Sequence, residues 1–346
     1  MQVFIPYNRN MNKNNFIPNE IIFSPTNICN LKCSHCYVKQ ANLKLSIEDA
    51  INFMSSCDET IEKIGFSGGE PFLYKDFICE ISKKTVEQGL FFDRIMTNGV
   101  WWNDEQTLQN VLTDIYNSGF DGKIGLSYDS FHNQQIEKII KFCTTVYEIW
   151  NNYSMIEIQS VINPLKKESD IENFKLIAKE LNCNIRFDIN KKTSKGLIVL
   201  SNANIFLPIF RFNQSYESDN PNAWNDKHWF KDDFCQSTGQ VLFVHADGTI
   251  APCCGFANEN KKILIGDISQ TFSQVMENAS KNRIVNICYN EGLKKYIKKI
   301  KHKGKTQDPC TFCDFLCKHQ DIYIYFCCLN SFFSRRFLIL CNLGIL

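Results

Sequence analysis

The sequence predicts an α/β protein: a partial (β/α)6 barrel of the TIM type, followed by a C-terminal domain rich in cysteine. Three observations predict it. Short β-rich apolar runs recur every 30 to 40 residues between residues 19 and 190. Amphipathic helical windows separate them, and strands alternating with helices imply a parallel sheet with right-handed crossovers. After residue 190 this rhythm stops, and from Cys235 the cysteines become dense.

The strand runs lie near 21–25, 62–66, 91–97, 123–127, 155–161 and 184–188. The first helical window opens at Ser46, with Asp49 as a capping-box variant and Ile47, Ile51 and Met54 along one face. Later windows carry Leu108, Val111, Leu112 and Ile115, then Ile136, Ile139, Ile140, Cys143 and Val146. In barrels of this kind the reactive residues sit in loops after the C-terminal ends of the strands. The boundaries read as an N-terminal arm (1–18), the barrel (19–190), a bridge (191–234), the cysteine-rich domain (235–320) and an apolar tail (321–346). Within 235–320, QVLFVHADGTIAPCC reads as a hairpin turning at Asp247-Gly248, with helices near 270–280 and 289–301. The lysines of the second helix (Lys294, Lys295, Lys298, Lys299, Lys301 and Lys303) read as a solvated face, with docking of an acidic peptide as the alternative.

Composition narrows the function classes. Lys+Arg number 38 against 37 Asp+Glu, a net charge of +1, which argues against a protein that tracks nucleic-acid phosphates. The apolar tail is split by Arg335 and Arg336, and neither half approaches the roughly 20 residues of a membrane span. Cysteine is the outlier, at 17 of 346 residues. Disulfide scaffolds are short and secreted; this chain is long, opens without an apolar signal run and has an odd cysteine count. A reducing cytoplasm and metal or redox chemistry are the expectation.

Cys29, Cys33 and Cys36 stand in SPTNICNLKCSHCYV, directly after the first predicted strand. Three thiolates on one loop can share a soft metal centre and leave a coordination position open. An iron–sulfur cluster and a zinc site completed by His35 both satisfy that spacing. Gly68-Gly69-Glu70-Pro71 follows the second strand; alone it would be a turn. Thr97-Asn98-Gly99 closes the third strand, and Ser127 and Asp129 close the fourth. Cys57, Cys79, Cys143 and Cys183 fall within or at the ends of predicted elements and read as packing residues.

Cys-x3-Cys-x2-Cys after strand one, within NLKCSHCY, resembles the cluster loop of radical SAM enzymes, and the resemblance spans roughly residues 19–320. It implies a [4Fe–4S] cluster on Cys29, Cys33 and Cys36 that binds S-adenosylmethionine and cleaves it to a 5′-deoxyadenosyl radical. An electron donor of flavodoxin or ferredoxin type is implied with it. The family favours an aromatic before the third cysteine; here His35 stands there and Tyr37 follows. Gly68, Gly69 and Glu70 resemble the family's site for the amino group of the cofactor. Asn98, Ser127 and Asp129 are similar to its other cofactor-contacting loops.

Farther on, Cys235-x12-Gly248-x4-Cys253 is followed by Cys310-x2-Cys313-x3-Cys317. Two ligands on a hairpin and a close pair elsewhere can close a four-thiolate site, and structural zinc satisfies that spacing too. Beside a radical SAM core the pattern resembles the SPASM and twitch extensions that hold auxiliary [4Fe–4S] clusters. It is shortened, which favours one auxiliary cluster on Cys235, Cys253, Cys310 and Cys313. Cys317 is an alternative ligand or part of a second, incomplete site. The remaining cysteines, Cys288 among them, are read as packing or tail residues.

Cys254 follows Cys253 directly. Neighbours on a strand point to opposite faces, so Cys254 should face away from Cys253, toward the barrel mouth. The whole chain resembles the radical SAM epimerases of ribosomal-peptide pathways. The resemblance implies that a radical takes the Cα hydrogen of an L-residue in a ribosomally made precursor peptide. A protein thiol, here Cys254, then returns hydrogen from the other face to leave a D-residue. A thioether- or carbon-crosslinking maturase shares the same cysteine pattern; a non-enzymatic zinc protein is the remote alternative. Fewer than 20 residues precede strand one, so the peptide is expected to dock on the barrel itself or through a separate partner.

Overall fold

The computed structural model describes residues 16–235, 239–300 and 302–319. The arm before residue 16 and the apolar tail lie outside the described residues.

The strands are β1 (Glu20–Phe23), β2 (Lys63–Phe66), β3 (Phe91–Thr97), β4 (Lys123–Ser127) and β5 (Ile156–Ile162). Helices α1 (Ile47–Ser56), α2 (Lys75–Glu87), α3 (Glu105–Asn117) and α4 (Ile136–Trp150) alternate with them. Each strand pairs in parallel with the next. Alternation along the strands divides the residues between two layers. Ile21, Phe23, Ile64, Phe66, Ile95, Ile124 and Ile158 are buried. They form one core with the apolar stripes of the helices, such as Phe53 and Met54, Phe77 and Ile81, or Phe142 and Val146. As the capping pattern predicts, the Ser46 hydroxyl accepts from the Asp49 amide at 3.2 Å.

The sixth barrel strand is a different one from that expected. After α5 (Lys167–Glu180), residues 184–188 do form a strand, β6 (Asn184–Ile189), but it pairs antiparallel with β7 (Gly196–Ser201). The strand beside β5 is β8 (Phe206–Asn213), and it is parallel. The predicted bridge therefore contains two strands. The turn between β6 and β7 closes through Asn190, whose carboxamide oxygen accepts from the amides of Lys192 and Thr193. This makes β6 an outer edge strand with a largely exposed burial pattern.

The cysteine-rich hairpin also joins the sheet. Strands β9 (Gly239–Val244) and β10 (Thr249–Cys253) pair antiparallel, and β9 lies parallel beside β1. With β11 (Gly266–Asp267) added, the order is β11-β10-β9-β1-β2-β3-β4-β5-β8-β7-β6. Helix α6 (Phe272–Lys281) follows, capped by a full capping box at Thr271 and Gln274. The single helix expected over 289–301 is broken. A π turn at Ile287–Glu291 ends at Gly292, whose φ of 92° suits glycine, and a short helix resumes at Lys294–Ile297. Lys294, Lys295, Lys298 and Lys299 are exposed, as a solvated face requires. A last helix covers 309–319.

The inner face of the sheet is not packed. A cavity of 1480 Å³ opens against it, lined by Ile22, Gly65, Met96, Ser127, Gln159 and Phe243 among others. No helix among the described residues is long and apolar enough to cross a membrane.

Candidate active site

The cysteine loop between β1 and α1 is fixed by its neighbours. The Thr26 hydroxyl donates to the Leu43 carbonyl (2.6 Å) and accepts from the Ile28 amide (3.1 Å). The Gly69 and Glu70 amides donate to the carbonyls of Thr26 and Ile28, at 2.9 and 2.8 Å. A Cβ on Gly68, where φ is 118°, would lie 2.2 Å from the Ser24 hydroxyl oxygen; one on Gly69 would lie 2.4 Å from the Ile28 carbonyl oxygen. The two glycines thus let two loops touch.

Cys29, Cys33 and Cys36 all line the cavity, with Tyr37, Gly68, Gly69, Asn98 and Ser127 around them. Asn98 donates to the Cys29 sulfur (3.7 Å) and the Asn30 side chain (2.8 Å). Tyr37 stacks on Phe256 at 4.7 Å and donates to the Ser215 carbonyl, so it ties the cysteine loop to the C-terminal part. Burial pushes both the Cys29 and Cys36 thiols up, followed by the Glu70 charge and the neighbouring thiols for Cys29 and by Cys33 for Cys36.

Glu70 and Asp129 stand behind the cavity wall rather than in it. Glu70 is fully buried. Its carboxylate accepts from the Phe72 amide (3.3 Å), the Thr97 hydroxyl (2.8 Å) and the Asn98 amide (2.8 Å). Three protein donors thus hold the Glu70 carboxylate in place. Burial pushes its pKa up to about 7 against the pull of those hydrogen bonds. Asp129 accepts from the Phe131 amide (2.9 Å), the Val161 amide (2.9 Å) and His132 Nδ1 (2.8 Å). Burial would raise its pKa, but the His132 contact and the Val161 amide outweigh this and hold it low. For His132, burial is likewise overridden by Asp129 and by the nearby Cys33 side chain, which together raise its pKa to about 9.

The second cysteine group has one more member than the spacing indicated. Cys288 is buried, with its sulfur 3.8 Å from that of Cys313, and its carbonyl accepts from the Cys235 amide. It packs in the core, and the same position sets it beside the cysteine group. It lies in the π turn, outside any Cys-x2-Cys pattern, so only the fold brings it in. Cys310, Cys313 and Cys317 project from the last helix at intervals of three and four, hence from one face. The group raises its own thiol pKa values. Burial and the charges of Cys235 and Cys310 drive Cys253 well above its ordinary value. Cys313 is driven the same way by Cys288, burial and Cys253. Such a gathering suits bound cations, which relieve the mutual repulsion of thiolates.

Both cysteine groups have the donors for a polynuclear iron–sulfur cluster.

Cys254 stands just past the end of β10 and differs from Cys253 in its surroundings. Cys253 is buried and absent from the cavity wall, whereas Cys254 is exposed and lines the cavity that Cys29, Cys33 and Cys36 share. The cavity is deep, so the surrounding protein, followed by the charge of Glu20, pushes its thiol up to about 12. At neutral pH it carries its hydrogen.

Comparison with known proteins agrees with this geometry. The Radical SAM superfamily matches residues 23–154, and the SPASM iron–sulfur cluster-binding domain matches residues 235–314. The putative peptide biosynthesis protein YydG of Bacillus subtilis (strain 168) is 23% identical over 290 residues, 81% of this chain and 83% of that protein. The GTP 3′,8-cyclase of Aliarcobacter butzleri (strain RM4018) is 26% identical over 270 residues, 67% of this chain and 79% of that one. Among solved structures, native anSMEcpe with bound AdoMet and Cp18Cys peptide superimposes with a TM-score of 0.52 at 14% identity, covering 91% of this chain and 99% of that one. This last likeness bears on the fold. The chain thus carries a radical SAM domain over residues 23–154 and a SPASM domain over residues 235–314, with S-adenosylmethionine, a [4Fe–4S] cluster and auxiliary iron–sulfur as the cofactors of that pairing.

Proposed function

We propose that this protein is a radical SAM peptide epimerase acting on a ribosomally made precursor peptide. The observation that carries the reading is the placement of Cys254, a protonated thiol on the wall of the cavity that holds the three-cysteine loop. The relative named for peptide biosynthesis and the peptide-bound fold neighbour support a peptide as substrate.

Cys29, Cys33 and Cys36 would hold the [4Fe–4S] cluster, and Gly68, Gly69, Asn98, Ser127 and Tyr37 line the space for S-adenosylmethionine beside it. When bound, these cofactors supply a 5′-deoxyadenosyl radical that removes a hydrogen atom. The peptide lies between the cluster loop and Cys254. The Cys254 S–H bond breaks homolytically and its hydrogen bonds to the substrate Cα, leaving a sulfur radical. One electron and one proton restore the thiol, the electron arriving from a flavodoxin- or ferredoxin-type donor. The auxiliary cluster ligands come from Cys235, Cys253, Cys288, Cys310, Cys313 and Cys317, and Cys288 joins the set that the spacing selects.

The test is a reaction in deuterated solvent with a ribosomally made precursor peptide as substrate. Wild-type enzyme should give a D-residue with one deuterium at its Cα. Cys254→Ala should still cleave S-adenosylmethionine yet leave no D-residue. Normal D-product from that variant refutes the thiol's role, and a product lighter by two hydrogens assigns the enzyme to crosslinking instead.

A further inference from the structure

His132 is used by nothing above, although it stands at the end of a buried polar chain. Arg211 on β8 is fully buried, with Nη2 3.7 Å from Asp170 Oδ2 on α5. Asp170 accepts from the Ser130 amide at 3.1 Å, and the adjacent Asp129 holds His132 through Nδ1 at 2.8 Å. The His132 ring meets the side chain of Cys33, and His35 packs edge-on against it at 4.9 Å. His132, His35 and Cys33 all line the cavity.

The grouping of His35, Asp129 and His132 within 4.8 Å has the look of a metal site. Asp129 argues otherwise, because two backbone amides and the His132 ring already occupy its oxygens. A ring held at one nitrogen by a carboxylate and touching a cluster ligand with the rest is the arrangement by which outer groups orient and tune metal ligands.

We propose that His132 is a positioning residue for the SAM-cluster ligand Cys33: Asp129 fixes the ring through Nδ1, and the opposite nitrogen donates to the Cys33 sulfur. The inference rests on the radical SAM assignment, not on the choice of reaction. Reduction adds negative charge to a cluster, and a hydrogen bond to a ligand sulfur favours the reduced state. His132 thereby makes the cluster easier to reduce, and the chain from Arg211 keeps its ring in place.

The test is a potentiometric titration of reconstituted full-length protein, followed by the electron paramagnetic resonance signal that changes on adding S-adenosylmethionine. Iron content of the wild type is measured first; iron-free wild type would sink the superfamily assignment rather than this proposal. His132→Phe should load the same iron yet show about a tenfold lower ratio of reduced to oxidised cluster at the wild-type midpoint, a negative shift of about 59 mV for one electron. His132→Gln, whose amide nitrogen reaches the same place, should restore most of it. An unchanged midpoint in His132→Phe overturns the proposal, and so does stoichiometric zinc bound by the metal-free protein and lost in that variant. Should His132→Phe fail to load, Asp129→Asn replaces it: a smaller negative shift at full iron supports the proposal, and no shift overturns it.

Discussion

Gly69 has no room for a side chain, because a Cβ there would fall 2.4 Å from a backbone oxygen that cannot move without dragging the cysteine loop. Gly69→Ala should therefore cost about 1–3 kcal/mol, as overpacking does, and lower the iron bound per chain; chemical denaturation and iron assay read the two effects. Its neighbour Glu70 makes a pH-dependent contribution. Its pKa in the fold is about 7 against an ordinary 4.5, so folding favours the neutral form. The stability it brings is full below about pH 4.5 and is lost as pH rises to about 7, on the order of 3 kcal/mol in all. Urea unfolding of the metal-free protein at pH 5 and pH 7.5 should show a smaller difference in Glu70→Gln than in wild type. An equal difference would mean that Glu70 does not titrate in this range.

Among the elements, the last helix and the π turn matter most to the auxiliary site. The helix presents Cys310, Cys313 and Cys317 on one face, and the π turn swings Cys288 to within 3.8 Å of Cys313. Cys288→Ala should lower iron per chain and weaken the auxiliary absorption near 400 nm, with the SAM-responsive cluster signal retained. Full iron in that variant would return Cys288 to the packing core. The Cys-x2-Cys pair could be read from spacing because a helix turns at a fixed rate. Cys288 could not, since a π turn leaves no periodic mark.

In the whole molecule, β9 of the cysteine-rich domain covers β1, whose backbone would otherwise form an open edge. A chain ending at Phe234 should aggregate, which size-exclusion chromatography would show; a monodisperse fragment would mean that the barrel stands without the hairpin. The same pairing puts Cys254 on the cavity wall, so the auxiliary domain and the radical site are one structure sharing one sheet.

The sequence by itself determined the α/β rhythm, the cluster loop with its Gly-Gly-Glu partner, and the hairpin turn. Each is local: alternation, helical stripes and short spacings are properties of neighbours in the chain. Tertiary structure alone decided that β8 rather than β6 is the sixth barrel strand. In the same way it drew in Cys288, withdrew Glu70 and Asp129 behind the wall, and set His132 against Cys33. Those outcomes depend on which distant segments pair, and the hydrogen bonds and burial that select a pairing are made between residues tens to hundreds of positions apart.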